Sequence, residues 1–346
     1  MNRILLSLLL LMVSVASCDR HSSAGDGTGL LRHAENVRVP VKDTLTLPVC
    51  HVDREVDLEF TLDGRVGTVA LGRGYGRYNG GWIRLTKDSM WVLSYHSKEE
   101  LKAAFAHRLL LEGKTRIVMH TDLDSTSIVL ENASGTFSTP NLAFVFQGKP
   151  FVHNISAEED LLSFVSLSSP TLNEDLWLFG DSYLSCTTDY RWLYYPYHMG
   201  GKNWMAEHLS GGGSRELLDC LKEDLKLRRP KIAVWTLGMN DGTDSKDGIP
   251  QVWTECVQAF IGLCRENGIE PVLATIPTVP GRNHEQKNAL VRSSGLRYID
   301  FAEAVGADAL GNWLPGLIYQ DNVHPNQQGA KSLADRAMKD LPELLD

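Results

Sequence analysis

The chain has no Cys-x-x-Cys pair and no His-x-x-x-His spacing. A zinc ribbon, a thioredoxin-type redox site and a helix-borne metal pair are therefore without a signature, and no cofactor or metal is expected. Positive charge is in short supply: 34 Lys and Arg stand against 43 Asp and Glu, a net charge of −9. A nucleic-acid binder needs a basic face that releases counterions, so that class is excluded. No apolar run reaches the roughly 20 residues a membrane-spanning helix needs. Wholesale disorder is excluded as well, because 43% hydrophobic and 22% charged residues are ordinary globular values. The 346 residues exceed one average domain and suit two.

What is present begins with a targeting segment. Arg3 precedes a nearly continuous apolar run from Ile4 to Val15, which reads as the core of an export signal. The run ends in Val15-Ala16-Ser17-Cys18, and small residues just before a cysteine resemble the lipobox of bacterial lipoproteins. That resemblance implies a signal peptide over residues 1–17 and acylation of Cys18 as the mature N-terminus. It also implies an exported protein held on a bacterial cell membrane by its acyl chains. Residues 18–35 are small and polar, as in a tether. The other cysteines, Cys50, Cys186, Cys220, Cys256 and Cys264, are odd in number and read as buried small hydrophobes.

Residues 36–168 show short alternating strands broken by turn residues, which predicts an antiparallel β-sandwich. The expected strands are Asn36–Val41, Glu55–Leu62, Gly67–Leu71, Trp82–Leu85, Met90–Tyr95, Arg116–His120, Thr126–Leu130 and Leu142–Phe146. Ser97–Leu110 has a helix-favouring composition. The glycines at 72, 74 and 76 precede a strand, not a helix, so they read as a turn or bulge and not as a phosphate loop. Tyr75, Tyr78, Trp82 and Trp91 read as packing residues, with a sugar-binding face as the alternative. The domain resembles lectin-like sandwiches without a motif that fixes a ligand.

Ser166–Asp175 is the expected linker, and from residue 169 to 346 the period changes. Apolar strand candidates at Leu176–Phe179, Trp204–Leu209, Ile232–Leu237, Pro271–Ile276 and Leu296–Ile299 alternate with helical patterns. The helices are expected at Ser214–Leu227, Pro250–Asn267, His284–Ser294 and Gln327–Leu341. Strand alternating with helix predicts an α/β domain with a parallel sheet covered on both faces, whose reactive groups collect at the carboxyl ends of the strands.

Gly180-Asp181-Ser182-Tyr183 follows the first strand and Gly211-Gly212-Gly213 the second. Gly238-Met239-Asn240-Asp241-Gly242 follows the third, and Asp321-Asn322-Val323-His324-Pro325-Asn326 precedes the last helix. An Asp three residues ahead of a His on a turn folds back onto Nδ1 and leaves Nε2 to take a proton from a serine. There is no G-x-S-x-G elbow of an ordinary α/β-hydrolase.

These four blocks, in this order over about residues 172–342, resemble those of the SGNH, or GDSL, esterase and lipase family. The resemblance implies a flavodoxin-like three-layer fold around a five-stranded parallel sheet. It implies Ser182 as nucleophile, His324 as general base and Asp321 as its orienting partner. The oxyanion donors would be the Ser182 N–H, the Asn240 amide and a glycine N–H: Gly211, with Gly212 and Gly213 open as alternatives. Tyr183 departs from the family's Leu. A β-sandwich joined to such a domain resembles bacterial carbohydrate esterases, which implies removal of O-acetyl groups from acetylated polysaccharide or oligosaccharide. An acyltransferase to a glycan hydroxyl and a non-catalytic glycan-binding lipoprotein are the alternatives. Trp192, Tyr194, Tyr195, Tyr197, Trp313 and Tyr319 are candidate sugar platforms, at least half of them core.

Overall fold

The computed structural model describes residues 30–50, 55–63, 67–74, 80–95, 102–108, 113–122, 125–142, 146, 148–156, 161–168, 174–185, 188–201 and 203–346. The export signal with Cys18, and Tyr75, Tyr78 and Cys186, lie outside them.

The first half forms two six-stranded antiparallel sheets. One runs β1-β12-β3-β8-β9-β10, from β1 (Leu30–Val39), β3 (Glu55–Asp63), β8 (Thr115–Asp122), β9 (Thr126–Asn132), β10 (Gly135–Ser138) and β12 (Leu161–Ser168). The other runs β2-β11-β4-β5-β6-β7, from β2 (Thr44–Thr46), β4 (Val69–Gly74), β5 (Gly80–Leu85), β6 (Ser89–Tyr95), β7 (Lys102–Arg108) and β11 (Lys149–Asn154). The period of two explains them: Leu58, Phe60 and Leu62 of β3 and Ile117 and Met119 of β8 are buried, as are Ile83, Leu85, Met90 and Val92 of β5 and β6.

Four expectations need correction. Lys102–Arg108, inside the segment with helix-favouring composition, is strand β7: it completes the ladder of β6, and paired backbone outweighs local preference. Leu30 to Glu35, within the expected tether, belong to β1, which there pairs with β12 through Leu30, Arg32, His33 and Ala34. β12 runs through Ser168 and so takes the start of the expected linker. Gly72 and Gly74 lie inside β4, not in a turn.

The second half holds a five-stranded parallel sheet of β13 (Leu176–Gly180), β14 (Trp204–His208), β15 (Ile232–Trp235), β16 (Glu270–Ala274) and β17 (Tyr298–Ile299). Its order is β14-β13-β15-β16-β17, so the strand order reverses beside β13. Helices α1 (Tyr194–His198), α2 (Ser214–Asp224), α3 (Gln251–Glu266), α4 (Glu285–Ser293), α5 (Phe301–Ala304) and α6 (Gln327–Asp340) lie among the strands. α3 shows why these segments are helical. Trp253, Cys256, Val257, Phe260 and Cys264 recur every three or four residues and make one buried face, with Phe260 4.8 Å from the Trp235 ring.

The two halves meet along the outer edge of β14. The Cys50 N–H donates to Glu207 Oε2 at 2.9 Å and the His208 N–H to Cys50 O at 3.0 Å. Cys50 thus satisfies the His208 N–H, a backbone group that an edge strand would leave open. Lys149 of β11 pairs with Glu216 of α2 at 3.2 Å.

Candidate active site

The site lies where the sheet order reverses, at the carboxyl ends of β13, β14 and β15. β13 ends at Gly180 and the chain turns at once, with Leu184 N–H on Asp181 O at 3.0 Å. Only glycine fits at 180: a Cβ there would lie 2.5 Å from Thr236 Oγ1 and 2.6 Å from the Leu184 Cβ. The turn leaves Ser182 at the sheet edge.

His324 reaches Ser182 from the far end of the chain. Ser182 Oγ and His324 Nε2 are 2.8 Å apart, and His324 Nδ1 is 2.7 Å from Asp321 Oδ2. Because ionised Asp321 can only accept, the proton belongs on Nδ1 and Nε2 faces the serine with its lone pair. Asp321 Oδ1 accepts the Val323 and His324 N–H groups, both at 2.9 Å. Burial works to raise the Asp321 pKa, but these bonds to His324 and Val323 outweigh it and hold the carboxyl below its ordinary range. Asn326 caps α6 by accepting the Gly329 N–H at 3.0 Å, which fixes the chain just after His324.

The other blocks converge on the same point. Asn240 Nδ2 donates to Gly212 O at 3.1 Å and approaches Asp181 Oδ2 at 3.4 Å. Among the three glycines, the Gly212 N–H serves a turn to Leu209 O at 2.8 Å, and the Gly213 N–H reaches Glu216 at 3.4 Å. Gly211 has φ of +72°, and its Cβ position faces open space. Its N–H is the one this local turn does not consume. Burial pushes the Asp181 carboxyl up to about 7; the Tyr183 N–H opposes the rise and nearby Asp241 adds to it.

Beside His324 opens a cleft of about 270 Å³, lined by Thr188, Tyr190, Arg191, Tyr319 and Pro325 together with Asp321 and His324. Tyr190 and Tyr319, each 38% exposed, stand edge to face at 5.9 Å. Of the candidate sugar platforms, Tyr319 lines this cleft. Trp192 and Trp313 are buried, and Tyr195 and Tyr197 pack against the core.

Several contributors escaped the sequence reading. The Tyr183 hydroxyl donates to Val323 O, tying the serine turn to the histidine turn, and its ring lies 5.8 Å from that of His324. Asp241 accepts from Ser214 N–H at 2.8 Å and Ser214 Oγ at 2.6 Å, which fixes the third block to the start of α2. Tyr190 and Arg191 carried no local signal. A Tyr in place of Leu was the one visible clue to the first of these links.

No family model matches the chain, and no curated protein matches it. Solved structures similar to part of it include a protein of Desulfitobacterium hafniense described as lipolytic and of the G-D-S-L family. It shows 19% identity and a TM-score of 0.42, over 49% of this chain and 100% of that one. The acetylxylan esterase Axe2 of Geobacillus stearothermophilus is 18% identical with a TM-score of 0.39, over 49% of this chain and 94% of its own. A GDSL-like lipase of Bacteroides thetaiotaomicron is 17% identical with a TM-score of 0.38, over 47% and 85%. The similar structures are thus GDSL-type esterases and lipases, and they match about half of this chain.

Proposed function

We propose that the chain is a serine esterase that works through an acyl-serine intermediate. The observation that carries this reading is the continuous chain of hydrogen bonds from Ser182 Oγ through His324 to Asp321. In this reading Ser182 Oγ attacks the ester carbonyl carbon while its proton passes to His324 Nε2. Asp321 stabilises the imidazolium that forms. The carbonyl oxygen becomes an oxyanion held by the Ser182 and Gly211 N–H groups and by Asn240 Nδ2, which gives up its long 3.4 Å contact with Asp181. Collapse expels the alcohol, which takes the proton from Nε2. Water, deprotonated by the same nitrogen, then frees the acid and Ser182.

The acyl group is acetyl and the alcohol a carbohydrate hydroxyl. The cleft beside His324 suits one sugar ring, with Tyr190 and Tyr319 offering aromatic faces and edges to its C–H surfaces. An acidic chain suits a neutral polysaccharide better than an anionic one. In this reading the export signal and acylation of Cys18 hold the enzyme on the bacterial cell membrane facing such glycans, and the two N-terminal sheets, which begin at Leu30, form a sandwich domain beside the hydrolase. Among the described residues no helix is long and apolar enough to cross a membrane.

The test measures acetate released from acetylated oligosaccharides. The wild type is expected to release it, with Ser182→Ala inactive and unlabelled by a fluorophosphonate. Asn240→Ala should retain labelling but lose on the order of 10²–10³ in turnover. Full activity in Ser182→Ala would overturn the assignment. Release from aryl esters alone would overturn the substrate.

A further inference from the structure

The junction between the halves encloses a second cluster of reactive side chains, outside the Ser182 chain of hydrogen bonds. Cys50 ends the segment laid along β14, Glu207 stands on β14 and Cys220 on α2. All three are buried, and their sulfur and carboxylate ligand atoms lie within 4.8 Å of one another. Both cysteines are free thiols. Glu207 is wholly enclosed: Oε2 accepts the Cys50 N–H at 2.9 Å, while Oε1 has no hydrogen-bond partner. A buried carboxylate oxygen with nothing to accept from is costly unless a cation meets it.

We propose that Cys50, Glu207 and Cys220 bind one Zn²⁺, which ties the N-terminal sheets to the α/β half. Two soft thiolate sulfurs and one carboxylate oxygen are a zinc donor set, and a bound water completes the tetrahedron. Ligands at about 2.3 Å for sulfur and 2.0–2.2 Å for oxygen stand roughly 3.5–3.8 Å apart around such a metal. The spread of up to 4.8 Å closes to that by side-chain rotation. Binding forms two Zn–S bonds and one Zn–O bond and releases the two thiol protons to solvent. Two thiolates, one carboxylate and the divalent ion leave one net negative charge, which the nearby Lys149 ammonium, shared with Glu216, partly offsets. All three ligands are buried, and the role proposed for the ion is structural. Its ligands come from positions 50, 207 and 220, which is why no local metal spacing announces it.

The experiment uses the full chain, purified without chelator. Elemental analysis is expected to give about one zinc per chain, and Co²⁺ in its place should give thiolate-to-cobalt charge-transfer absorption. Both signals should vanish in Cys50→Ser/Cys220→Ser and persist in Cys256→Ser/Cys264→Ser. Glu207→Gln, which keeps the side chain's size, should lower the zinc content, and aryl-ester hydrolysis reports whether each variant has folded. Wild-type protein that neither carries zinc nor takes up Co²⁺ overturns the proposal. So does a Cys50–Cys220 disulfide seen by mass as the loss of two hydrogens, or zinc retained by the Cys50/Cys220 double variant.

Discussion

The hydrogen-bond chain at Ser182 depends on one unusual backbone residue. Asn322 has φ of +57°, in the left-handed region. That conformation turns the chain sharply between Asp321 and His324, so the Asp321 carboxylate can meet both the imidazole and two following N–H groups. Asn tolerates it because a short polar side chain bonds locally, whereas a β-branched residue crowds its own carbonyl. Asn322→Val is expected to cost about 1–2 kcal/mol in denaturant unfolding. It should also lower kcat more than KM, because in the proposed mechanism the histidine acts in bond making and not in substrate binding. Asn322→Gly should leave the unfolding midpoint almost unchanged. Equal stability and kcat in Asn322→Val would show that the turn places no demand on residue 322. Tyr183 works at the same place, since its hydroxyl holds Val323 O from the serine side.

At the scale of elements, α4 and the loop after β15 hold each other. Asp244, just past the loop, accepts the N–H groups of Gln286 and Lys287 at 2.8 and 3.1 Å and so caps α4. In return the fully buried Lys287 sends its ammonium back to the loop. Nζ donates to Gly238 O at 3.3 Å, to Gly242 O, and to His284 Nδ1 at 3.0 Å. Burial draws the Lys287 pKa down while Asp244 and Asp241 oppose the fall. Both ends of the segment bearing Asn240 are thus pinned by one cation. Lys287→Met should lower kcat by up to on the order of 10²-fold with little change in KM, the effect expected when Asn240, the proposed oxyanion donor, shifts by about 1 Å. Active sites counted by fluorophosphonate labelling separate this from a loss of folded protein: unchanged kcat per labelled site would mean that Lys287 only stabilises. The parallel strands and long helices were legible in the sequence because their apolar periods are local, and expected α3, Pro250–Asn267, is observed as Gln251–Glu266. The four blocks were legible because each follows a strand or opens a helix. β7 was not, because its pairing with β6 is a long-range event that local composition cannot report. β11 and β12 were not singled out as strands either, although both alternate in burial. The Lys287 clamp and the Cys50–Glu207–Cys220 cluster were hidden for the same reason: their partners are distant in sequence and carry no fixed spacing.

For the whole molecule, three buried titratable groups set how stability responds to pH. Burial holds His208 down to about 3, helped by Arg191 and Arg73, and holds His284 down to about 3, helped by Lys287 and Arg282. Unfolding frees each to take a proton near its ordinary value of about 6.5. Between pH 6.5 and 3 the unfolded state therefore binds one more proton per histidine. Stability falls as pH drops, by about 1.4 kcal/mol per pH unit for each. Asp181 acts in the opposite sense. Its carboxyl titrates at about 7 when folded against 3.8 ordinarily, so across that window the folded state keeps a proton that the unfolded state has lost. Stability then falls as pH rises, with the same slope, and the full penalty is present above 7. From pH 4 to 6.5 two rising contributions meet one falling one, and a net slope of about 1.4 kcal/mol per unit remains, with a maximum near pH 6.5. Asp300, Asp321 and Glu343, whose carboxyls lie below their ordinary range, add further acid sensitivity below about pH 4. Urea midpoints measured from pH 4 to 8 test the balance. His284→Gln removes one rising contribution and should flatten the profile between 4 and 6.5. Asp181→Asn removes the falling one, should about double the acid slope, and should abolish the decline toward neutrality. A His284→Gln profile parallel to the wild type would show that the buried imidazole already gains its proton in the folded protein.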